Sequence, residues 1–272
     1  MPDTASDSFG PEDSLERLRQ IMRRLRDPNL GCPWDIVQTF DTIAPYTVEE
    51  AHEVADVIAR KAWPELPGEL GDLLLQVVFH SQMADEAGLF TLDDVIRTIS
   101  DKMLARHPHV FGHESRDKSA EQQTVDWERL KAAERGPARV LDGVALGLPA
   151  LTRAVKLQKR AARVGFDWPS TDEVLAKMAE EMGELVEARD MLTEAEVTEE
   201  FGDLLFVMAN LARHMQVDPE AALRASNAKF TRRFQRIEDW LAEAGKTPDQ
   251  SDLAEMDALW NRAKAEEKTG MA

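Results

Sequence analysis

The feature that most constrains this chain is a spacing of acids that occurs twice. Glu50, Glu53, Glu69 and Asp72 form one set, and Glu181, Glu184, Glu200 and Asp203 form the other. The gaps are 3, 16 and 3 in both sets, and every position is displaced by 131. Neighbours repeat too: Glu49-Glu50 with Glu180-Glu181, and Gly71-Asp72-Leu73-Leu74 with Gly202-Asp203-Leu204-Leu205. With 51 acids in 272 residues, one such match arises by chance at about one start position in a thousand. Two matches sharing their flanks are duplication, and a duplicated unit is the first thing to settle about an architecture.

The similarity spreads outward more loosely. Gly31-Cys32-Pro33-Trp34 precedes the first set as Gly165-Phe166-Asp167-Trp168 precedes the second, and Lys102 and Arg106 follow as Lys229 and Arg233 do. One module is expected over residues 14–111 and another over 146–262. Residues 1–13 and 263–272 read as tails. Residues 112–145 read as a polar linker carrying Gly136-Pro137, with a candidate helix around Val125 to Glu134.

The composition points to helices. Aromatic residues are only 6% and Gly is sparse at 14, whereas Ala, Leu, Glu, Arg and Met are plentiful. Those side chains lose little freedom in a helix. No sustained β-branched alternation interrupts the pattern, so the fold class is all-α. In the second module Ser170 with Glu173 predicts a capped helix running to about Met191. Thr193 with Glu196 predicts another running to about Met215. So short a connection folds them into an antiparallel hairpin.

Helical geometry then places the acids. On the first helix Val174, Leu175, Met178 and Leu185 share an apolar arc, with Glu181 and Glu184 on its edge. On the second, Val197, Phe201, Leu204, Leu205, Met208, Leu211 and Met215 form the arc, with Glu200 and Asp203 on its edge. Antiparallel pairing sets Glu181 opposite Asp203 and Glu184 opposite Glu200. The same construction sets Glu50 opposite Asp72 and Glu53 opposite Glu69. Four carboxylates at one level repel one another unless something neutralises them. All-oxygen ligation suits Mg²⁺, with Mn²⁺ as a substitute, better than Zn²⁺. Di-iron bundles would want Glu-x-x-His where this chain has Glu and Asp.

Charge and hydropathy exclude several classes. A formal net charge of −18 argues against wrapping nucleic acid. No apolar run approaches the roughly 18 residues that a membrane span needs. Met1 to Asp13 lacks the basic and apolar regions of a signal peptide. The lone Cys32 fits a reducing cytoplasm. Basic residues nonetheless gather near the second acid set. Lys177 lies one turn before Glu181, and Lys229, Arg232, Arg233 and Arg236 cluster on a later helix, a pattern that suits phosphate.

These residues resemble the MazG-type nucleoside triphosphate pyrophosphohydrolases. The Glu-Glu-x-x-Glu, sixteen-residue step, Glu-x-x-Asp pattern matches that family's metal signature. Also similar are Gly31-Cys32-Pro33-Trp34-Asp35, Thr42-Ile43-Ala44-Pro45-Tyr46-Thr47, Gly68-Glu69-Leu70-Gly71-Asp72 and His107-Pro108-His109-Val110-Phe111. So are Gly165-Phe166-Asp167-Trp168 and Lys229-Phe230-x-Arg232-Arg233-Phe234. The resemblance implies hydrolysis of nucleoside triphosphates between the α and β phosphates, with Mg²⁺, broad base tolerance and a housekeeping role in the nucleotide pool. It implies homodimers that complete four-helix bundles, with a regulatory protein as a further candidate partner, and activity in the C-terminal module. Carried over by position, Glu181, Glu184, Glu200 and Asp203 bind metal and act in catalysis, and Glu50, Glu53, Glu69 and Asp72 form the second metal set. Lys131, Lys177, Glu180, Lys229, Arg232, Arg233 and Trp260 line the nucleotide.

One local difference favours the second module: Glu199 precedes Glu200 where Gly68 precedes Glu69. This extra acid is a candidate to orient water or hold another ion. The first module carries His52 where the second has Gly183. Trp34 and Trp168 read as core or loop anchors. Two other readings stay open from the residues: a narrower hydrolase of deoxynucleotides or phosphoribosyl-ATP, and a non-catalytic metal-binding helical regulator.

Overall fold

The computed structural model describes residues 14–120, 122–123, 126–127, 130, 139–191 and 193–269. The residue 1–13 tail, Lys131 and most of the helix expected around Val125 to Glu134 lie outside the described residues. Among the described residues the chain is helical and without strands. It divides into two compact units, residues 1–136 and 137–272, each holding one acid set. Among the described residues no helix is long and apolar enough to cross a membrane.

In the first unit α1 spans Leu15–Leu25, opened by the Ser14 hydroxyl accepting from the Arg17 amide. A short α2 (Pro33–Ile36) turns the chain into α3, Phe40–Arg60. A reciprocal Thr39–Thr42 cap starts α3, satisfying amides that a helix start leaves without partners. Lys61 ends it in the left-handed conformation at φ 58°. Then α4 (Leu66–Glu86) returns antiparallel along α3, and α5 (Leu92–Arg106) starts on a Thr91–Asp94 capping box. A short α6 spans Pro108–Phe111. Met22, Ile43, Val78, Phe79, Met83 and Leu92 form the core that ties α1 and α5 to this hairpin. Trp34 meets Tyr46 and Phe79 edge-on at 6.0 and 6.5 Å, an anchor for the loop before α3.

The second unit repeats the plan with α7 (Ala150–Ala162), α8 (Thr171–Met191), α9 (Glu194–His214) and α10 (Pro219–Glu243). The Ser170 hydroxyl accepts from the Glu173 amide at 3.3 Å, and the Thr193–Glu196 capping box closes fully. A 3-10 turn at Pro248–Gln250 leads to α11, Leu253–Thr269. Residues 263–269 of the expected tail are therefore helical, and α11 lies along α10. α7 packs on α9, where the Gln158 side chain donates to the Phe206 carbonyl at 2.8 Å.

The apolar arc expected on α9 is not buried within this chain. Phe201, Leu205, Met208 and Met215 are exposed, while Val207, Ala209 and Asn210 are buried. The reason is geometric. α8 and α7 each cover only one side of α9, so the apolar arc extends past both of them.

The loop before α8 is held by charge. Asp167 accepts from both terminal nitrogens of Arg213 and from His214 at 3.2 Å. The Arg213 guanidinium first, and His214 after it, hold the Asp167 carboxyl below the usual carboxylate range despite partial burial. A depressed folded pKa means stability that is complete above the unfolded value of about 3.9 and lost as pH falls through the lowered folded value. Asp167→Asn should therefore lower the melting temperature at pH 7, and the difference from the parent should shrink below about pH 4. Thermal denaturation of both proteins across that range is the check.

Candidate metal centre

Each hairpin gathers its acids as helix geometry requires. Carboxylate oxygens of Glu181, Glu184 and Glu200 all lie within 4.8 Å of one another. So do those of Glu50, Glu69 and Asp72 in the first unit. The fourth member of each set is close by. The Glu53 charge acts on Glu50 and Glu69, and the Asp203 charge acts on Glu200. Glu181 is 5% exposed, while Glu184 and Asp203 are exposed.

The electrostatics record the crowding. Burial, then the charges of Glu184, Asp203, Glu181 and Glu199, push the Glu200 carboxyl up. Glu50 and Glu69 are raised likewise, by burial first and then by Glu53 and Asp72. Such a donor set fits a hard divalent cation: carboxylates only, with no thiolate or imidazole in either group.

The two centres differ in their cations. Lys177 places its ammonium 2.8 Å from Glu181 and 3.0 Å from Glu180, and these two acids, Glu181 first, raise its pKa. The matching residue in the first unit, at the same displacement of 131, is Tyr46. Glu199, beside Glu200, is exposed. His52 is exposed on α3.

The other expected nucleotide ligands form a second group on α10 and α11. Arg233 stacks over the Trp260 ring at 5.3 Å, and Phe230 packs on that ring at 5.4 Å. Arg106 lies over Trp127 at 5.2 Å in the first unit, so the arginine pair seen in the repeat keeps an aromatic partner in both. Lys229 is exposed on α10. Arg232 and Arg233 are not free side chains. Each donates through Nε and Nη2 to one oxygen of Glu267, at 2.6 to 2.9 Å. Glu267 belongs to no motif and falls in the segment expected as a tail. Its signal in the sequence is only that helix-forming residues continue past 262.

The description "MazG nucleotide pyrophosphohydrolase domain" matches residues 38–111 and 170–237, spans that contain both acid sets and residues 229–233. The nucleoside triphosphate pyrophosphohydrolase of Escherichia coli K12 is 48% identical over 260 residues, covering 94% of this chain and 98% of that protein. The nucleoside triphosphate pyrophosphohydrolase/pyrophosphatase MazG of Thermotoga maritima is 43% identical over 257 residues, covering 94% and 97%. The nucleoside triphosphate pyrophosphohydrolase of Mycobacterium tuberculosis is 39% identical over 153 residues, 56% of this chain and 46% of that one.

The raised Glu200 carboxyl makes a stability prediction whose sign is opposite to that of Asp167. Keeping it ionised costs stability at neutral pH when no cation is bound, and the cost fades as pH falls into the glutamate range. Glu200→Gln should melt at or above the parent temperature in EDTA. The parent should gain more stability with added Mg²⁺ than the variant, which keeps only the first-unit centre intact, because a cation bound only by the folded state raises its stability. Parallel melts with EDTA and with Mg²⁺ would show both effects. These matched motifs, acid centres and full-length similarities lead to one conclusion: the chain belongs to the MazG nucleotide pyrophosphohydrolase domain family and carries the domain twice.

Proposed function

We propose that this chain hydrolyses nucleoside triphosphates to the monophosphate and pyrophosphate, at a Mg²⁺ centre held by Glu181, Glu184, Glu200 and Asp203. The single observation that carries this reading is the convergence of Glu181, Glu184 and Glu200 within 4.8 Å inside a chain of this family. Similarity to enzymes named for this reaction over almost the whole chain supports it. When bound, Mg²⁺ offsets the carboxylates against an anionic substrate and makes water a better nucleophile.

The protein's own groups do the rest. Glu181, held by Lys177, is the fixed member of the set, and Lys177 keeps a positive charge beside the phosphates. Glu199 stands next to the centre, exposed to solvent, where a carboxylate can orient the attacking water or accept its proton. Arg232 and Arg233 bind phosphate oxygens with Lys229, while Trp260 flanks the base. Glu267 takes Nε and Nη2 of each guanidinium and leaves Nη1 for the substrate, so it acts as a positioning residue. Glu180 shares Lys177 with Glu181. Lys131 completes the set by resemblance alone.

Activity belongs to the second module in this reading. The first keeps four acids but has Tyr46 in place of Lys177 and Gly68 in place of Glu199. Its centre, Glu50, Glu53, Glu69 and Asp72, binds a cation without turnover. The exposed apolar residues of α4 and α9, among them Leu70, Leu74, Phe201 and Met208, support a homodimer in which paired hairpins complete four-helix bundles. Broad base tolerance, a role in clearing unwanted nucleotides, a regulatory protein partner and a cytoplasmic setting belong to the same reading.

ATP with Mg²⁺ should yield AMP and pyrophosphate, resolved by chromatography. Glu184→Ala should lower kcat by more than the ~100-fold that losing a metal's outer-shell partner costs, and Glu53→Ala should not. Glu199→Gln should lower kcat with metal and substrate saturating. ADP with phosphate would refute the cleavage site, and turnover surviving Glu184→Ala but not Glu53→Ala would move catalysis to the first module.

A further inference from the structure

The two modules differ at a place neither acid set touches. In the first unit the crevice between α1, the end of α4 and the start of α5 is closed by ion pairs. Arg19 reaches Asp93 at 3.2 Å, Arg23 reaches Asp85 at 3.8 Å, and Arg26 reaches Glu86 at 2.7 Å. Only about 10 Å³ of space remains beside Arg19, Gln82 and Asp85.

Displacement by 131 turns Gln82, Asp85 and Glu86 into Arg213, Gln216 and Val217. Two acids are lost and a cation is gained. The corresponding place in the second unit, between α7 and the start of α10, is an open cavity of about 640 Å³. Lys156 and Lys159 line it from α7, together with Arg213. Val155, Val217 and Pro219 supply an apolar wall. The acids nearby are already committed. Asp218 caps α10 through the Ala221 amide, Asp167 holds Arg213, and Glu220 accepts from the Thr152 amide. Lys156 and Lys159, both exposed, have no acidic partner among the described residues. In a chain of net charge −18, two lysines without counter-ions set local positive charge beside the Asp167-bound Arg213.

We propose that this cavity is a second anion site, separate from the carboxylate centre, that takes the phosphate groups of a nucleotide-sized small molecule. The volume lies within the range of small-ligand sites, roughly 300 to 1,000 Å³. The lysines bind phosphate oxygens, and the apolar wall takes a ring or base. Arg213 follows Asp203 by ten residues on α9, about 15 Å along the helix at 1.5 Å per residue, beyond the reach of one phosphate group. The site needs no metal, and it stands whether or not the carboxylate centre is catalytic.

The test is equilibrium binding of a fluorescent ATP analogue to the full-length chain in EDTA, with inorganic pyrophosphate as competitor. Binding should persist in Glu184→Ala and in Arg232→Gln. It should weaken about tenfold in the double variant Lys156→Gln/Lys159→Gln, whose melting temperature should match the parent's because both lysines are exposed. Mg²⁺-dependent turnover of that variant at saturating substrate should be unchanged. No binding in EDTA, binding indifferent to the two lysines, binding lost in Arg232→Gln, or failure of pyrophosphate to compete would each overturn the proposal.

Discussion

Mutual repulsion among carboxylates is the constraint on which the rest of this protein depends. Each hairpin holds four acids at one level of two antiparallel helices, and burial strengthens their repulsion rather than relieving it. An arrangement that costs stability in the free protein persists where the cost returns as binding, and only a cation binds four carboxylates together. The helices must therefore be rigid against this force. Their capping boxes, the short connection between α8 and α9, and the packing of α7 on α9 hold the acids where they would otherwise separate.

Duplication supplied two such centres, and the differences between them lie in their surroundings. The four ligand positions are the same, as are Gly-Asp-Leu-Leu after them. What changed is the local balance of charge. Lys177 beside Glu181 replaces Tyr46 beside Glu50, and Glu199 replaces Gly68. At the far end of the hairpin, ion pairs that close the first module give way to unpaired lysines and a cavity in the second. A single residue change on a helix face moves a whole charge by a side-chain length, so two copies of one scaffold can part in chemistry while keeping their backbones alike.

The cationic elements are themselves held by acids. Arg213 is tied to Asp167, and Arg232 and Arg233 to Glu267. An arginine that donates through two of its nitrogens to a carboxylate is fixed in orientation. In an acidic protein that recognises an anion, such pairs keep guanidinium groups from wandering to the nearest exposed carboxylate. The exposed apolar faces of α4 and α9 follow the same logic of incomplete satisfaction, since a hairpin packed on one further helix covers only part of its circumference.

The helices, the two hairpins and the level at which the acids meet were legible in the sequence because each follows from local rules. Spacing sets the face, Thr193 with Glu196 sets a boundary, and a repeat at constant displacement sets the module count. Periodicity does not say which part of an apolar arc is covered, and on the α9 arc Phe201 and Met208 are exposed. Glu267 escaped because an acid on a helix announces no partner. Its four bonds to Arg232 and Arg233 exist only once α11 folds back along α10. The cavity beside Lys156 and Lys159 escaped for the same reason, its walls coming from segments over 50 residues apart. Local spacing determines what a helix presents; which charges find counter-ions and which faces find cover is decided by the packing of distant helices.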